Sequence, residues 1–432
     1  MNAQRPSFLV LFALLALPSC GRGGGDHPSP SASTSAPPAA GSASGAVVPA
    51  SVSGSPATPP ARGSAVPDDP PPGAVAPTTF AGAKAEKACH AQTFEVAGYQ
   101  TRGEIALAGQ GDVVAAVWRL KLSGKRDEQI AFATFDKDGR PVARPRGVGV
   151  TTLDVPPRVL ASGGGFAVVW FDDKGLAFAR PRTEPLPPPE IAHVGAVSAE
   201  VAADVALGLW PAGGGLAAAP FGADRQQLGL FVFAPEEGPS VKAMGVTHHA
   251  KQPHRPAIAA GPTGTLVAWV EGDKLVASRF DAAGKEGAAC TIAPASPTPR
   301  ERLALAVTPT GAVAMWMEGT KIRTRGLDPS ACPASPIWTV AEGKWATLSA
   351  LNETPIVAWV ADGGRLLTAR LAGSGAPSAR GIEVSEGGTG VKDPPALVTF
   401  GGRAAFGWAE AMSPVIATKR LAVRLVDATC IP

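Results

Sequence analysis

Few residues in this chain of 432 are of the kinds that do covalent or metal chemistry, and their spacing limits what they could do. His248, His249 and His254 fall within "HHAKQPH", close enough to share a metal if a carboxylate approached, but the spacing fits no metal-ligand pattern. His90 and His193 stand alone and read as structural. No G-x-S-x-G follows a strand-like run, no H-E-x-x-H occurs, and "GQGDVV" is a lone glycine pair in a hairpin rather than a phosphate loop. The expected chemistry is therefore binding, with no catalytic residue, no metal and no cofactor.

Six basic residues are the candidates for binding. Arg102, Arg158, Arg255, Arg302, Lys344 and Lys392 each lie 12 to 16 positions ahead of a recurring Trp slot. If each slot belongs to one sheet of a ring, these residues surround one mouth of a central channel and suit an anionic ligand or an acidic partner surface. A plainer reading competes with this one. Acids follow the same slots at Asp172, Glu271, Glu318, Asp362 and Glu410, so Arg255 with Glu271 and Arg302 with Glu318 could pair across strand ends.

The five cysteines divide by position. Cys20 follows the ten-residue apolar run "FLVLFALLAL", too short for a bilayer core of about 30 Å and the right length for a signal peptide. "LPSC", Leu17 to Cys20, resembles the lipobox of bacterial lipoproteins, although Pro18 replaces the usual small or β-branched residue. That resemblance implies a signal peptide over 1–19, a lipid on Cys20 and, with Gly21 rather than Asp next, an outer-membrane destination. Setting Cys20 aside leaves Cys89, Cys290, Cys332 and Cys430, an even set suited to an oxidising compartment.

The surrounding elements must be short strands. Charged residues make up 17% of the chain against 51 glycines and 44 prolines, a balance that favours strands and turns over long helices. The formal net charge of +3 gives no field that would draw nucleic acid. Residues 20–84, rich in Pro, Ser, Ala and Gly, cannot bury enough surface to order themselves and read as a tether of about 40 to 45 Å.

From residue 85 to 432 one phrase recurs: "VVAAVW" to Trp118, "FAVVW" to Trp170, "TLVAW" to Trp269, "AVAMW" to Trp316, "PIVAW" to Trp359 and "AAFGW" to Trp408. The spacings are 52, 99, 47, 43 and 49, so a seventh, degenerate copy belongs inside the long gap, with Pro220 in its slot. Repeats of this length, each read as four short strands, predict an all-β, seven-bladed β-propeller, with six blades as the alternative because Pro220 lacks a ladder donor. The last repeat runs out before its fourth strand, and "HAQTFEVAG" from His90 is spare, so the N-terminal strand is expected to complete the last blade. A Cys89–Cys430 disulfide would staple that closure. Cys290 and Cys332 are left to pair with each other or to remain free thiols.

"LPSC", the tether and "VAWVEGDKLVASRFDAAG" together resemble the propeller-bearing lipoproteins of high-GC Gram-negative bacteria, myxobacteria among them. The resemblance is to an architecture and implies no single activity. It leads to the expectation of a monomer anchored by lipid to the outer membrane, a non-enzymatic module or scaffold binding an envelope protein or glycan. The alternatives are an envelope hydrolase or lyase with its site at the channel mouth, and a factor in outer-membrane barrel assembly.

Overall fold

The computed structural model describes residues 83–84, 92–96, 101–121, 127–162, 164–181, 191–194, 206–209, 215–221, 227–233, 241–246, 253–261, 264–378, 381–385, 390–411 and 419–431. The expected signal peptide, Cys20, all but the last two residues of the expected tether, Cys89, His90, His248 and His249 lie outside them.

Among the described residues the chain is all β, without an α-helix, and its strands pair into seven sheets. Sheet 1 comprises Thr101–Gln110, Val113–Lys121, Glu128–Asp136 and Pro141–Thr151. Sheet 2 comprises Arg158–Ser162, Gly165–Asp172, Gly175–Ala179 and Ile191–Val194. Sheet 3, from the degenerate repeat, comprises Ala206–Leu209, Gly215–Phe221, Gln227–Phe233 and Val241–Val246. Pro220 lies in its second strand opposite Leu228. Sheet 4 comprises Pro253–Gly261, Gly264–Glu271, Lys274–Phe280 and Cys290–Ala293. Sheet 5 comprises Arg300–Thr308, Gly311–Glu318, Lys321–Leu327 and Trp338–Glu342.

Sheet 6 comprises Lys344–Leu351, Thr354–Val360, Leu366–Arg370 and Ile382–Glu383, with Ala83–Lys84 added in parallel at its edge. Sheet 7 comprises Ala396–Phe400, Arg403–Ala411 and Lys419–Asp427, and its fourth strand is Gln92–Val96. That strand pairs antiparallel to the third, from Gln92 opposite Leu425 to Val96 opposite Leu421. The first strand of each sheet lies against the first strand of the next, and that of sheet 7 lies against that of sheet 1.

The recurring phrase is apolar at consecutive positions because both faces of each second strand are covered. In Gly311–Glu318 the residues Ala312, Ala314 and Trp316 share a core cluster with Leu266, Ala268 and Ala277 of sheet 4. The intervening Val313, Met315 and Met317 share one with Val357, Trp359 and Leu367 of sheet 6. The Trp slot faces the preceding sheet throughout: Trp170 towards sheet 1, Trp269 towards sheet 3, Trp359 towards sheet 5, Trp408 towards sheet 6 and Trp118 of sheet 1 towards sheet 7. All six indoles are buried. A sheet of this size cannot bury its faces alone, and the indole supplies the largest apolar area between neighbours.

The Asp that closes the third strand in several repeats is also structural. Asp281 accepts from the Ala283 and Lys285 amides at 2.9 Å. Asp328 accepts from the Ser330 and Cys332 amides, Asp136 from those of Asp138 and Arg140, and Asp427 from that of Thr429. An Asp side chain held this way fixes the turn that follows the third strand. Cys332 lies in one such turn, and its disulfide to Cys290, the first residue of the fourth strand of sheet 4, joins neighbouring sheets with Cα atoms 5.1 Å apart. Cys430 is also disulfide-bonded.

Candidate functional site

The site is set by bulges in the first strands. Pairing slips between Arg102 and Ala106 in sheet 1, His254 and Ala257 in sheet 4, Glu301 and Ala304 in sheet 5, and Lys344 and Thr347 in sheet 6. Pairing resumes each time opposite the residue before the Trp slot, so Glu104, Arg255, Arg302 and Trp345 occupy one equivalent position, fourteen residues ahead of their Trp. Arg255, Arg302 and Trp345 have φ of 51°, 53° and 55°. A left-handed non-glycine residue costs free energy and recurs where a bulge re-aims a side chain.

The redirected side chains of sheets 1 and 5 meet. Arg302 Nη1 donates to Glu104 Oε1 at 2.7 Å, and Arg158 Nη1 of sheet 2 stands 3.7 Å from Glu104 Oε2. The first strand of sheet 1 lies between those of sheets 7 and 2, and that of sheet 5 between those of sheets 4 and 6. The Arg302–Glu104 pair therefore crosses the space that the first strands surround. Burial pushes the Arg158 guanidinium below the usual arginine range; Glu104 opposes that shift and Arg302 reinforces it. Two guanidinium groups thus share one carboxylate.

A second basic group lies between sheets 4 and 5. Arg255 Nη1 donates to the Arg300 carbonyl, and Arg255 Nη2 stands 3.6 Å from Glu301 Oε1. Arg255 lines a cleft of about 280 Å³ with His254, Asp273, Thr298 and Arg300. Arg300 is buried, donates to the Asp273 carbonyl at 2.6 Å and pairs with Glu318 at 3.6 Å, which Arg323 approaches at 3.3 Å.

These contacts revise the expected pairing of Arg302 with Glu318. Arg302 pairs with Glu104, and the residue opposite Glu318 is Arg300; the residue opposite Glu271 is Pro253. The bulges insert one extra residue in sheets 4, 5 and 6 and two in sheet 1, an offset that sequence spacing cannot reveal. The six basic candidates do not form one ring of equivalent positions. Arg255 and Arg302 are equivalent, while Arg158 sits opposite Val169, in the place of Ala304. Lys344 precedes the redirected residue, its ammonium 5.0 Å from the centre of the Trp345 ring. Lys392 is exposed, with its amide donating to the Ala409 carbonyl. Arg102 lies opposite Arg119 in the register. Glu104 was missed because it carries the opposite charge to Arg255 and Arg302; alignment fourteen residues ahead of each Trp finds it.

His193 on the fourth strand of sheet 2 stands 2.8 Å from Asp172 Oδ2, while Asp172 Oδ1 accepts from the Lys174 amide. The pair ties the outermost strand to the end of the second. Arg119, buried, is ion-paired to Glu128 at 3.2 Å and Asp154 at 2.6 Å. It anchors the linker between sheets 1 and 2.

No family model matches the chain, and no curated protein matches it. Solved structures do. The WD40 domain of Toxoplasma gondii coronin is similar at 11% identity and a TM-score of 0.49, over 78% of this chain and 86% of that one. A protein of unknown function from Dyadobacter fermentans is similar at 11% identity and 0.44, over 78% and 99%. The β-propeller domain of Myceliophteria thermophila Cps50 (Swd1) is similar at 13% identity and 0.44, over 77% and 98%. Likenesses at this level assign no activity, and the fold rests on the chain's own strand pairing.

Proposed function

We propose that the chain is a seven-bladed β-propeller, closed by Gln92–Val96 as the fourth strand of sheet 7, that serves as a non-enzymatic binding module or scaffold at the cell envelope. The observation that carries this reading is the cyclic succession of first strands together with the two guanidiniums converging on Glu104 within it. Concave sites framed by several sheets are where ligands bind, and the net positive charge there selects an anionic group on an envelope protein or glycan. The Cys290–Cys332 disulfide fits an oxidising compartment. Lipid on Cys20 and a tether ending before the Ala83–Lys84 edge strand would hold the module off the outer membrane. Labelling of cells with radioactive palmitate tests the anchor: the wild-type chain takes up label and sediments with outer membranes, and Cys20→Ala does neither. Equal labelling of the two, or wild-type chain in the soluble fraction, overturns it.

The envelope-hydrolase alternative has one observation in its favour, the His193–Asp172 pair. Hydrolysis of chromogenic esters or glycosides by the wild type but not by His193→Asn would establish it. Equal turnover by the two proteins would reject it.

A further inference from the structure

Arg302 Nη1 is spent on Glu104 Oε1 at 2.7 Å, whereas Arg158, at 3.7 Å from Oε2, is outside hydrogen-bonding distance and among the described residues makes one long bond of 3.4 Å, to the Pro157 carbonyl. Each guanidinium carries five N–H donors, and among the described residues most of these ten have no acceptor. The group is recessed yet accessible: side-chain exposures are 21% for Glu104, 32% for Arg302 and 39% for Arg158.

We propose that Glu104, Arg158 and Arg302 form a recognition site for the carboxylate of a small organic acid or sugar acid. This deepens the binding-module reading and rests on it. Planar guanidiniums suit a carboxylate because two parallel N–H donors match its two oxygens. The excess of one positive charge over Glu104 matches a monoanion and leaves a phosphate dianion only partly neutralised. Recession favours a group that enters singly over a flat acidic surface. Glu104 has two effects here: it holds Arg302 in its redirected conformation, and it repels the incoming anion.

The test is calorimetric titration of the detergent-solubilised full chain with lactate and with galacturonate, to about 20 mM, the range in which single-group recognition registers. Galactose is the uncharged control, and inorganic phosphate and hexaglutamate are the competing anions. Saturable one-to-one binding of lactate or galacturonate is expected, the better of the two distinguishing a free acid from a sugar acid. Arg158→Gln and Arg302→Gln should each weaken it about tenfold or more, the loss expected for one charge-assisted hydrogen bond. Glu104→Gln should tighten it several-fold by removing the repulsion. The proposal is overturned if neither acid binds, if phosphate or hexaglutamate binds and the acids do not, or if the folded arginine variants bind like the wild type. Should those variants not fold, unchanged or weaker binding by folded Glu104→Gln overturns it. The palmitate assay is independent of every one of these outcomes.

Discussion

Trp316 offers a quantitative test of what the repeated indole does. It is 1% exposed in the second strand of sheet 5 and shares its cluster with Leu266, Ala268, Leu275 and Ala277 of sheet 4. Its Nε1 is buried without a hydrogen-bond partner among the described residues. The indole therefore acts through apolar area alone, and its N–H carries a desolvation cost of about 1 to 3 kcal/mol. Trp316→Ala removes the ring and leaves a cavity between two sheets, costing about 3 to 5 kcal/mol. Trp316→Phe leaves a smaller void but also relieves the unpaired N–H. The two effects offset, and the net cost should be roughly 1 kcal/mol. Urea unfolding followed by far-UV circular dichroism and by fluorescence measures both, with coincident transitions required because repeat arrays can unfold in steps. With a slope near the top of the usual range, about 3 kcal/mol/M, the alanine midpoint falls by about 1 to 1.7 M and the phenylalanine midpoint by about 0.3 M. A phenylalanine variant as unstable as the alanine one would refute the reasoning, since the N–H would then hold a partner of consequence. So would an alanine variant within about 1 kcal/mol of wild type.

Three further outcomes follow from local geometry. Replacing Cys290 and Cys332 by Ser removes a cross-link between residues 42 apart, which the chain-entropy estimate values at about 4 kcal/mol; a loss below about 1 kcal/mol in non-reducing urea melts would show that it constrains little. Gly311 has φ of 147° and an added Cβ would stand 2.0 Å from the Leu327 carbonyl oxygen, so Gly311→Ala should lower stability by at least about 2 kcal/mol, and a thermal melt like that of the wild type would contradict the turn. The Thr429 amide and hydroxyl hold the Asp427 carboxyl below the usual carboxylate range, against the opposing effect of burial and with help from Arg403. Its folded-state pKa is thus lower than its unfolded one, so this contribution is complete above about pH 4 and disappears as pH falls through the depressed value. Asp427→Asn should be less stable at pH 6 and lose less stability between about pH 4 and 2, as urea midpoints across that range would report; parallel profiles would refute the assignment.

The apolar phrase ending in Trp was legible because it reflects burial on both faces, a property of composition and spacing. Gln92–Val96 read in the sequence as a spare strand, and it pairs antiparallel to Lys419–Asp427, from Gln92 opposite Leu425 to Val96 opposite Leu421. Even Pro220 kept its slot, opposite Leu228 in a second strand. The bulges were not legible. Arg255, Arg302 and Trp345 adopt left-handed backbone without the glycine or asparagine that would advertise it, and the register around the sheet 5 bulge puts Arg300, two residues before Arg302, opposite Glu318. The contact between Arg302 and Glu104 joins residues 198 apart across the first strands, and such a long-range side-chain pair leaves no local pattern. The parallel pairing of Ala83–Lys84 with Ile382–Glu383 lacked a signal for the same reason, being too short to show a period.

The central claim is that the sheets close into a ring through the strand that begins just after Cys89. Disulfide mapping of the unreduced, mature protein by proteolysis and mass spectrometry tests it most directly. Ring closure requires a peptide holding Cys430 joined to one holding Cys89, beside a separate Cys290–Cys332 pair. Cys430 joined to any other cysteine, or recovered as a free thiol, would contradict it.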